Sequence, residues 1–218
     1  RIPRMTDQQE VIFVEGHSTD DTWDEIRRVA DSYDGPFTIK VMRQEGKGKG
    51  DAVRKGFAAA SGDVLMILDA DISVPPEELP MFFDTLASGR GEFINGSRMV
   101  YLMDKRAMRF LNLLGNKAFG LVFTYLLSQR FRDTLCGTKV LLRADYERIA
   151  ANRSYFGDFD PFGDFDLLFG AARASLKIVD VPVHYKARTY GETNISRFRH
   201  GLILLRMCLF AARKIKFV

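Results

Sequence analysis

The apolar run Val64-Leu65-Met66-Ile67-Leu68 stops at Asp69-Ala70-Asp71, two carboxylates one residue apart. An apolar run of about five residues, introduced by Gly62-Asp63, predicts a strand buried on both faces of a mostly parallel sheet, with the aspartates at its C-terminal edge. Open α/β sheets bind ligands at that edge. Neighbouring carboxylates repel, and a divalent cation with oxygen ligands relieves the repulsion while holding a diphosphate. The triplet alone reads either as a metal site for a nucleotide or as a solvated acidic turn.

The flanking pattern extends the α/β reading. Val11 to Val14 reads as a strand, Ser18 to Thr22 supplies caps for a helix to about Tyr33, and Gly35-Pro36 breaks that helix before a strand from Phe37 to Met42. Gly46-Lys47-Gly48-Lys49-Gly50 opens a helix over Asp51 to Ala60, Pro75-Pro76-Glu77 starts another through Ala87, and Glu92 to Ser97 reads as a fourth strand. Regular alternation predicts right-handed βαβ units and a three-layer α/β/α domain. No internal repeat or low-complexity tract interrupts it.

After residue 97 the pattern changes. Lys105 to Gln129 reads as one long helix, apolar nearly all round towards its end, and Arg197 to Lys216 sets leucines among basic residues. Such helices need an apolar partner, either the rest of the protein or a membrane surface. Neither is long and apolar enough to span a bilayer, and no signal peptide is recognisable.

With 218 residues, 46% hydrophobic and 28% charged, the chain fits one large folded domain or at most two small ones. The formal charge of +4 suits phosphates, anionic lipid or nucleic acid. No interleaved aromatic and basic platform is evident, which argues against nucleic acid. Cys136 and Cys208 lack metal-ligand spacing and read as core residues, which argues against a disulfide framework or structural zinc and favours a reducing, cytoplasmic setting. His17, His184 and His200 read as structural.

Taken in order, Val14-Glu15-Gly16-His17-Ser18-Thr19-Asp20-Asp21-Thr22, Gly48-Lys49-Gly50-Asp51-Ala52, Asp69-Ala70-Asp71, Gly96-Ser97-Arg98, Asp133 to Gly137 and Arg188 to Thr193 carry a resemblance. Over roughly residues 11 to 200 the chain resembles the family-2 glycosyltransferases of GT-A fold, most of all the polyprenyl- and dolichol-phosphate sugar transferases. The ordered set is far more specific than any one motif.

The resemblance implies site roles. Val14, Glu15 and Gly16 would meet the nucleotide base, although Gly16 replaces the family's second carboxylate. Lys49 would approach the phosphates, helped by helix N–H groups; a flexible basic loop is the alternative. Asp69, Ala70 and Asp71 would form the sugar-nucleotide and metal motif, holding Mg2+ or Mn2+, with Ser73 where relatives often carry a glutamine ligand. Arg98 and Arg188 would neutralise phosphates, or else sit in surface ion pairs, and Asn194 replaces the family's lysine in the loop after Arg188. Asp164 or Asp166 would act as base if the acceptor is a hydroxyl, whereas a phosphate acceptor needs none; both also suit an acidic helix N-terminus.

The expected protein is therefore an inverting, metal-dependent transferase that moves a sugar from a GDP- or UDP-sugar donor to a lipid-phosphate or other membrane-associated acceptor, peripheral at the cytoplasmic membrane face. A transferase building polysaccharide on a soluble glycan acceptor, and a catalytically silent nucleotide-binding or scaffolding domain, stay open. Residues 1–200 are expected to form the catalytic domain and 201–218 an amphipathic basic helix. Relatives begin with one more β–α unit, so an N-terminally truncated sheet is expected, with weak catalysis and an exposed edge able to pair with a second copy.

Overall fold

The computed structural model describes residues 1–101, 110–153, 163–187 and 197–215. Strand β1 (Glu10–Glu15) pairs in parallel with β2 (Thr38–Arg43) across helix α1 (Thr22–Ser32). Just before α1, Asp20 closes a local turn by accepting hydrogen bonds from the N–H and hydroxyl of Thr22. Helix α2 (Lys49–Ala59) follows a glycine turn in which Gly48 has φ +81° and Asp51 accepts the Gly46 N–H.

Two contacts set the direction of α2. Gly56 packs against Val14, while the Ala59 carbonyl accepts from Lys40, opposite Ile12 in the register. The helix therefore runs back along β1 and β2, and its first residue, Lys49, lies at their C-terminal end.

The second sheet is β3-β5-β4-β6, with β3 (Val64–Met66), β4 (Phe93–Ser97), β5 (Lys139–Leu142) and β6 (Ile178–Pro182). β5 is antiparallel to both its neighbours, while β4 and β6 are parallel. The sheet is mostly parallel, as expected from the sequence, and mixed at β5, which alone runs against β3, β4 and β6. β5 and β6 are short and carry Lys139 and Asp180, so neither shows the long apolar run that marks a buried strand. Among the described residues β1 and β3 each pair on one side only, and β1-β2 forms a separate ladder.

Alternation along the strands builds the layers. Leu65, Phe93, Leu141 and Ile178 enter a core with Phe123 and Leu126 of α4 (Phe110–Leu127), Ile149 of α5 (Arg143–Ala151) and Phe165 and Phe169 of α6 (Asp164–Arg173). Ile94, Val140 and Val181 point the other way, towards Phe82 and Leu86 of α3 (Leu79–Ala87). Opposite faces of the same strands thus feed two cores, which makes three layers. A 3-10 turn at Pro76–Glu78 leads into α3. Helix α7 (Arg197–Ile215) packs on α4 and adds Met207, Cys208 and Ala211 to the first core. Among the described residues no helix is long and apolar enough to cross a membrane. Both cysteines are buried, and burial raises each thiol to about 11.

Candidate active site

Four chain segments meet at the end of β3: the start of α2, the turn after β3, the loop before β5 and the start of α6. Lys49 Nζ lies 2.6 Å from Asp69 Oδ1. Gly137 forms the floor, since a Cβ there would overlap Asp69 Oδ2 and Lys49 Nζ. Gly163, with φ +72°, starts α6 so close to Gly50 that a Cβ would meet the Gly50 Cα at 2.6 Å. That approach brings Asp164 to Lys49. Burial opposes the charge on Lys49, but Asp164 and Asp69 outweigh it and hold the ammonium above its ordinary range, so Lys49 is a cation.

The two motif aspartates are held in a tight turn. Ile72 N–H donates to the Asp69 carbonyl at 3.0 Å, and Ser73 N–H donates to Asp71 Oδ1 at 3.0 Å. Ile72 adopts φ +53°, a conformation that a β-branched residue rarely accepts. Backbone strain of this kind, worth about 1 to 3 kcal/mol, is characteristic of sites where geometry matters. The Ser73 hydroxyl is buried without a hydrogen-bond partner among the described residues.

These residues fit a Mg2+ or Mn2+ ion of partly external coordination. The donors are all oxygen and Ser73 offers an unsatisfied buried oxygen, while the Lys49 ammonium on Asp69 would have to turn to a diphosphate as the ion enters. Among the described residues no cluster of three or more His, Cys, Asp or Glu surrounds the site. A cation there would complete its shell with diphosphate and water, as Mg2+ commonly does.

The two carboxylates at the start of α6 are both engaged. Asp164 Oδ1 lies 2.9 Å from the fully buried Nζ of Lys139, a close ion pair without an aligned hydrogen bond, while Lys139 donates to the Cys136 carbonyl. Asp166 accepts from Arg153 at 2.7 Å.

Arg98 grips Asp133 with two side-chain bonds, Nε to Oδ2 at 2.7 Å and Nη2 to Oδ1 at 2.9 Å, and stacks over Tyr185. Asp133, fully buried, also accepts from Asn116 and from the backbone N–H groups of Arg98 and Leu135. Burial would raise its carboxyl, but Arg98 and these donors bring it down to about 2.

At the end of β1, Glu15 is buried; it accepts from the Ser18 N–H and lies 3.3 Å from Arg43, which stacks on Trp23. Chiefly because of Ser18, its carboxyl is held below the usual range. Val14 packs against Gly56, Gly16 lies exposed beside Gln44, and Ala70 is exposed in the aspartate turn. Arg188 and Asn194 lie outside the described residues.

The structure therefore brings Lys49, Asp69 and Asp164 together, with Asp71 and Ser73 in the adjoining turn, and places Arg98 and Asp166 in separate ion pairs. The sequence reading missed Lys139 and the pairing role of Asp133. A lysine within an otherwise apolar Lys139-Val140-Leu141-Leu142 strand was the available signal.

The glycosyl transferase family 2 model matches residues 4–149. The chain is 29% identical over 213 residues to a dolichyl-phosphate hexose transferase of Haloferax volcanii, covering 95% of this chain and 85% of that protein. It is 28% identical to a dolichol-phosphate mannosyltransferase of Pyrococcus furiosus, covering 85% of this chain and half of that longer protein. Glucosyl-3-phosphoglycerate synthase from Mycobacterium tuberculosis, solved with Mn2+, UDP and phosphoglyceric acid, shares the fold at TM-score 0.61 and 20% identity, covering 95% of this chain and 68% of that one. The family match spans well over half of the chain and contains the Lys49 and Asp69 pair: the chain belongs to glycosyl transferase family 2 and is a glycosyltransferase.

Proposed function

We propose that the chain transfers a sugar, with inversion, from a GDP- or UDP-linked donor to the phosphate of a polyprenyl-phosphate at a membrane surface, with Mg2+ or Mn2+ held by Asp69, Asp71 and Ser73. The observation that carries this reading is the charge balance at the start of α6. Asp164 already neutralises the buried Lys139, and protonating it would strand that lysine without its counter-charge. Asp166 is balanced in the same way by Arg153. A site whose candidate bases are both committed suits an acceptor that brings its own anionic nucleophile. The names of the Haloferax and Pyrococcus relatives support a lipid-phosphate acceptor.

In the reaction, an acceptor phosphate oxygen bonds to the anomeric carbon as the bond from that carbon to the donor diphosphate breaks, and the nucleoside diphosphate leaves. The bound cation would lower the charge of that leaving group. Lys49, at the N-terminus of α2, adds its ammonium and the adjacent helix N–H groups on the same side. Val14, Glu15 and Gly16 end β1 beside α2, where a base can rest, and Arg188 is assigned to phosphate.

Calorimetry with UDP- and GDP-sugars, with and without Mn2+, combined with transfer to dolichyl phosphate in detergent, tests this reading. Metal-dependent binding and transfer, both lost in Asp71→Ala, are expected. Folded protein that binds no donor would overturn it, and transfer to a soluble sugar hydroxyl alone would replace the acceptor.

A further inference from the structure

The C-terminal ends of β1 and β2 divide their side chains between two helices. Val14 packs on Gly56 of α2 and Lys40 reaches the last carbonyl of α2. By strand alternation Ile12, Val14 and Gly16, with Lys40, Met42 and Gln44 opposite them, therefore face α2 and the glycine turn that starts it at Lys49. Glu15 and Arg43 face the other way, where Arg43 lies over Trp23 of α1. Glu15 is engaged on that side by the Ser18 N–H and Arg43, and Gly16 supplies no carboxylate on the α2 side.

Gln44 takes the space that Gly16 leaves. Its side chain lies across Gly16, with Nε2 3.0 Å from the point where a Cβ would stand. Gln44 is only 5% exposed whereas Gly16 is open to solvent, so the amide lies directly under an accessible position. Among the described residues its Oε1 is buried without a hydrogen-bond partner. Such an oxygen is unfavourable unless a ligand or water pairs it. A half-turn about the last side-chain bond exchanges Oε1 and Nε2, so the amide can set either one against a group resting over Gly16.

The chemistry of an amide selects the base. A carboxylate only accepts, and so matches the adjacent N1–H and N2–H donors of guanine. An amide offers one acceptor and one donor side by side. Uracil presents a single N–H, at N3, beside the carbonyl O4, and an amide satisfies both. Guanine can meet the same pair with N1–H and O6, but its exocyclic amine is then left without an acceptor, which a site built for hydrogen bonding penalises. We infer that Gln44 reads the base of the donor, pairing with N3–H and O4 of a uracil that rests over Gly16, and that the donor is a uridine diphosphate sugar. This assignment rests on the proposed GDP- or UDP-linked donor and decides between the two.

The test is calorimetric titration of the full chain with UDP, GDP and inorganic pyrophosphate in the presence of Mn2+. UDP should bind at least about tenfold more tightly than GDP, the scale of one bidentate pair between an amide and a base. Gln44→Leu should erase that preference by weakening UDP about tenfold, and should leave pyrophosphate binding unchanged. Among the described residues the Gln44 Oε1 has no partner to strand, so the melting temperature of this variant should not fall. Gly16→Asp crowds Nε2 with its new Cβ and sets an acceptor-only group over the amide, which should turn the preference towards GDP. A parent protein that binds GDP as well as UDP overturns the inference. So does a folded Gln44→Leu that keeps the full preference, and, should that variant fail to fold, so does a Gly16→Asp protein whose preference is unaltered. Protein that binds pyrophosphate but neither nucleotide refutes the base contact alone, whereas protein that binds none of the three refutes the proposed donor site and the base contact with it.

Discussion

Lys49 Nζ sits 2.6 Å from Asp69 Oδ1, over the bare Cα of Gly137. The lysine on which a diphosphate would bear is thus paired with the aspartate on which a cation would bear. Metal and lysine compete for one carboxylate until a diphosphate gives the lysine another partner. Lys49→Met is therefore expected to raise Mn2+ affinity in the absence of nucleotide about three- to fivefold, the scale of a partly exposed ion pair. The same variant should weaken nucleoside diphosphate binding. Mn2+ titration followed by electron paramagnetic resonance reads the first effect and calorimetry the second. Unchanged Mn2+ affinity would show that the ion pair does not guard the site.

Gly137 should be intolerant of any side chain for reasons of function more than of stability. A Cβ there meets the far ends of two flexible side chains, which can swing away at little cost to the fold. Gly137→Ala is expected to shift the melting temperature only slightly while removing metal-dependent donor binding. A variant that melts far lower, or one that binds donor normally, would contradict the cradle.

Asp133 braces the loop before β5 through Arg98, and the pair is almost wholly buried. Asp133→Asn leaves Arg98 without its counter-charge and should cost about 3 to 5 kcal/mol in urea unfolding. The carboxyl stands at about 2 in the folded protein against an ordinary value of 3.8. A depressed folded value means that the contribution is complete above the unfolded value and is lost as pH falls from roughly 4 towards 2. Glu10, which burial alone would raise, is brought from 4.5 to about 2 by Lys40, Ser61 and Gly62, and adds to the same acid window. Asp133→Asn should flatten the pH dependence of stability between pH 4 and 2 relative to the parent, while its full loss of stability is already present near neutrality and does not vary with pH there.

Asp164 and Lys139 should behave as a unit. Removing either charge alone strands the other in the core and should destabilise by about 3 to 5 kcal/mol, while Lys139→Met/Asp164→Leu should recover much of that loss. If the acceptor is a phosphate, the folded double variant keeps a rate within about a hundredfold of the parent, because no general base has been removed. A larger fall in kcat, with KM unchanged, would identify Asp164 as the base and move the acceptor to a hydroxyl.

Much of the first half was legible from local pattern. The strands ending at Val14, Met42, Leu68 and Ser97 and the helices between them emerge with ends shifted by a few residues, because apolar runs, capping residues and proline or glycine breaks are local signals. β5 and β6 were not legible. Lys139 and Asp180 interrupt their apolar runs, and both are accommodated only because partners distant in sequence, Asp164 for one and Asn95 for the other, meet them in the folded chain. Arg98 shows the same limit, since the family resemblance implied a phosphate contact or else a surface ion pair, and only the packed loop brings the buried Asp133 to it.

The sequence by itself determined the α/β class, the position of the aspartate pair at a strand's end, the glycine turn that starts α2 and the basic, apolar character of the last helix. Each depends on residues within a turn or two of one another. Tertiary structure decided that Lys49 balances Asp69, that Asp164 is spent on Lys139, that β5 enters antiparallel, and that α7 packs on α4 and adds Met207, Cys208 and Ala211 to the core. Those are pairings of charges and faces far apart along the chain, and their partners are selected by which groups the folded core brings within a few ångströms and shields from water.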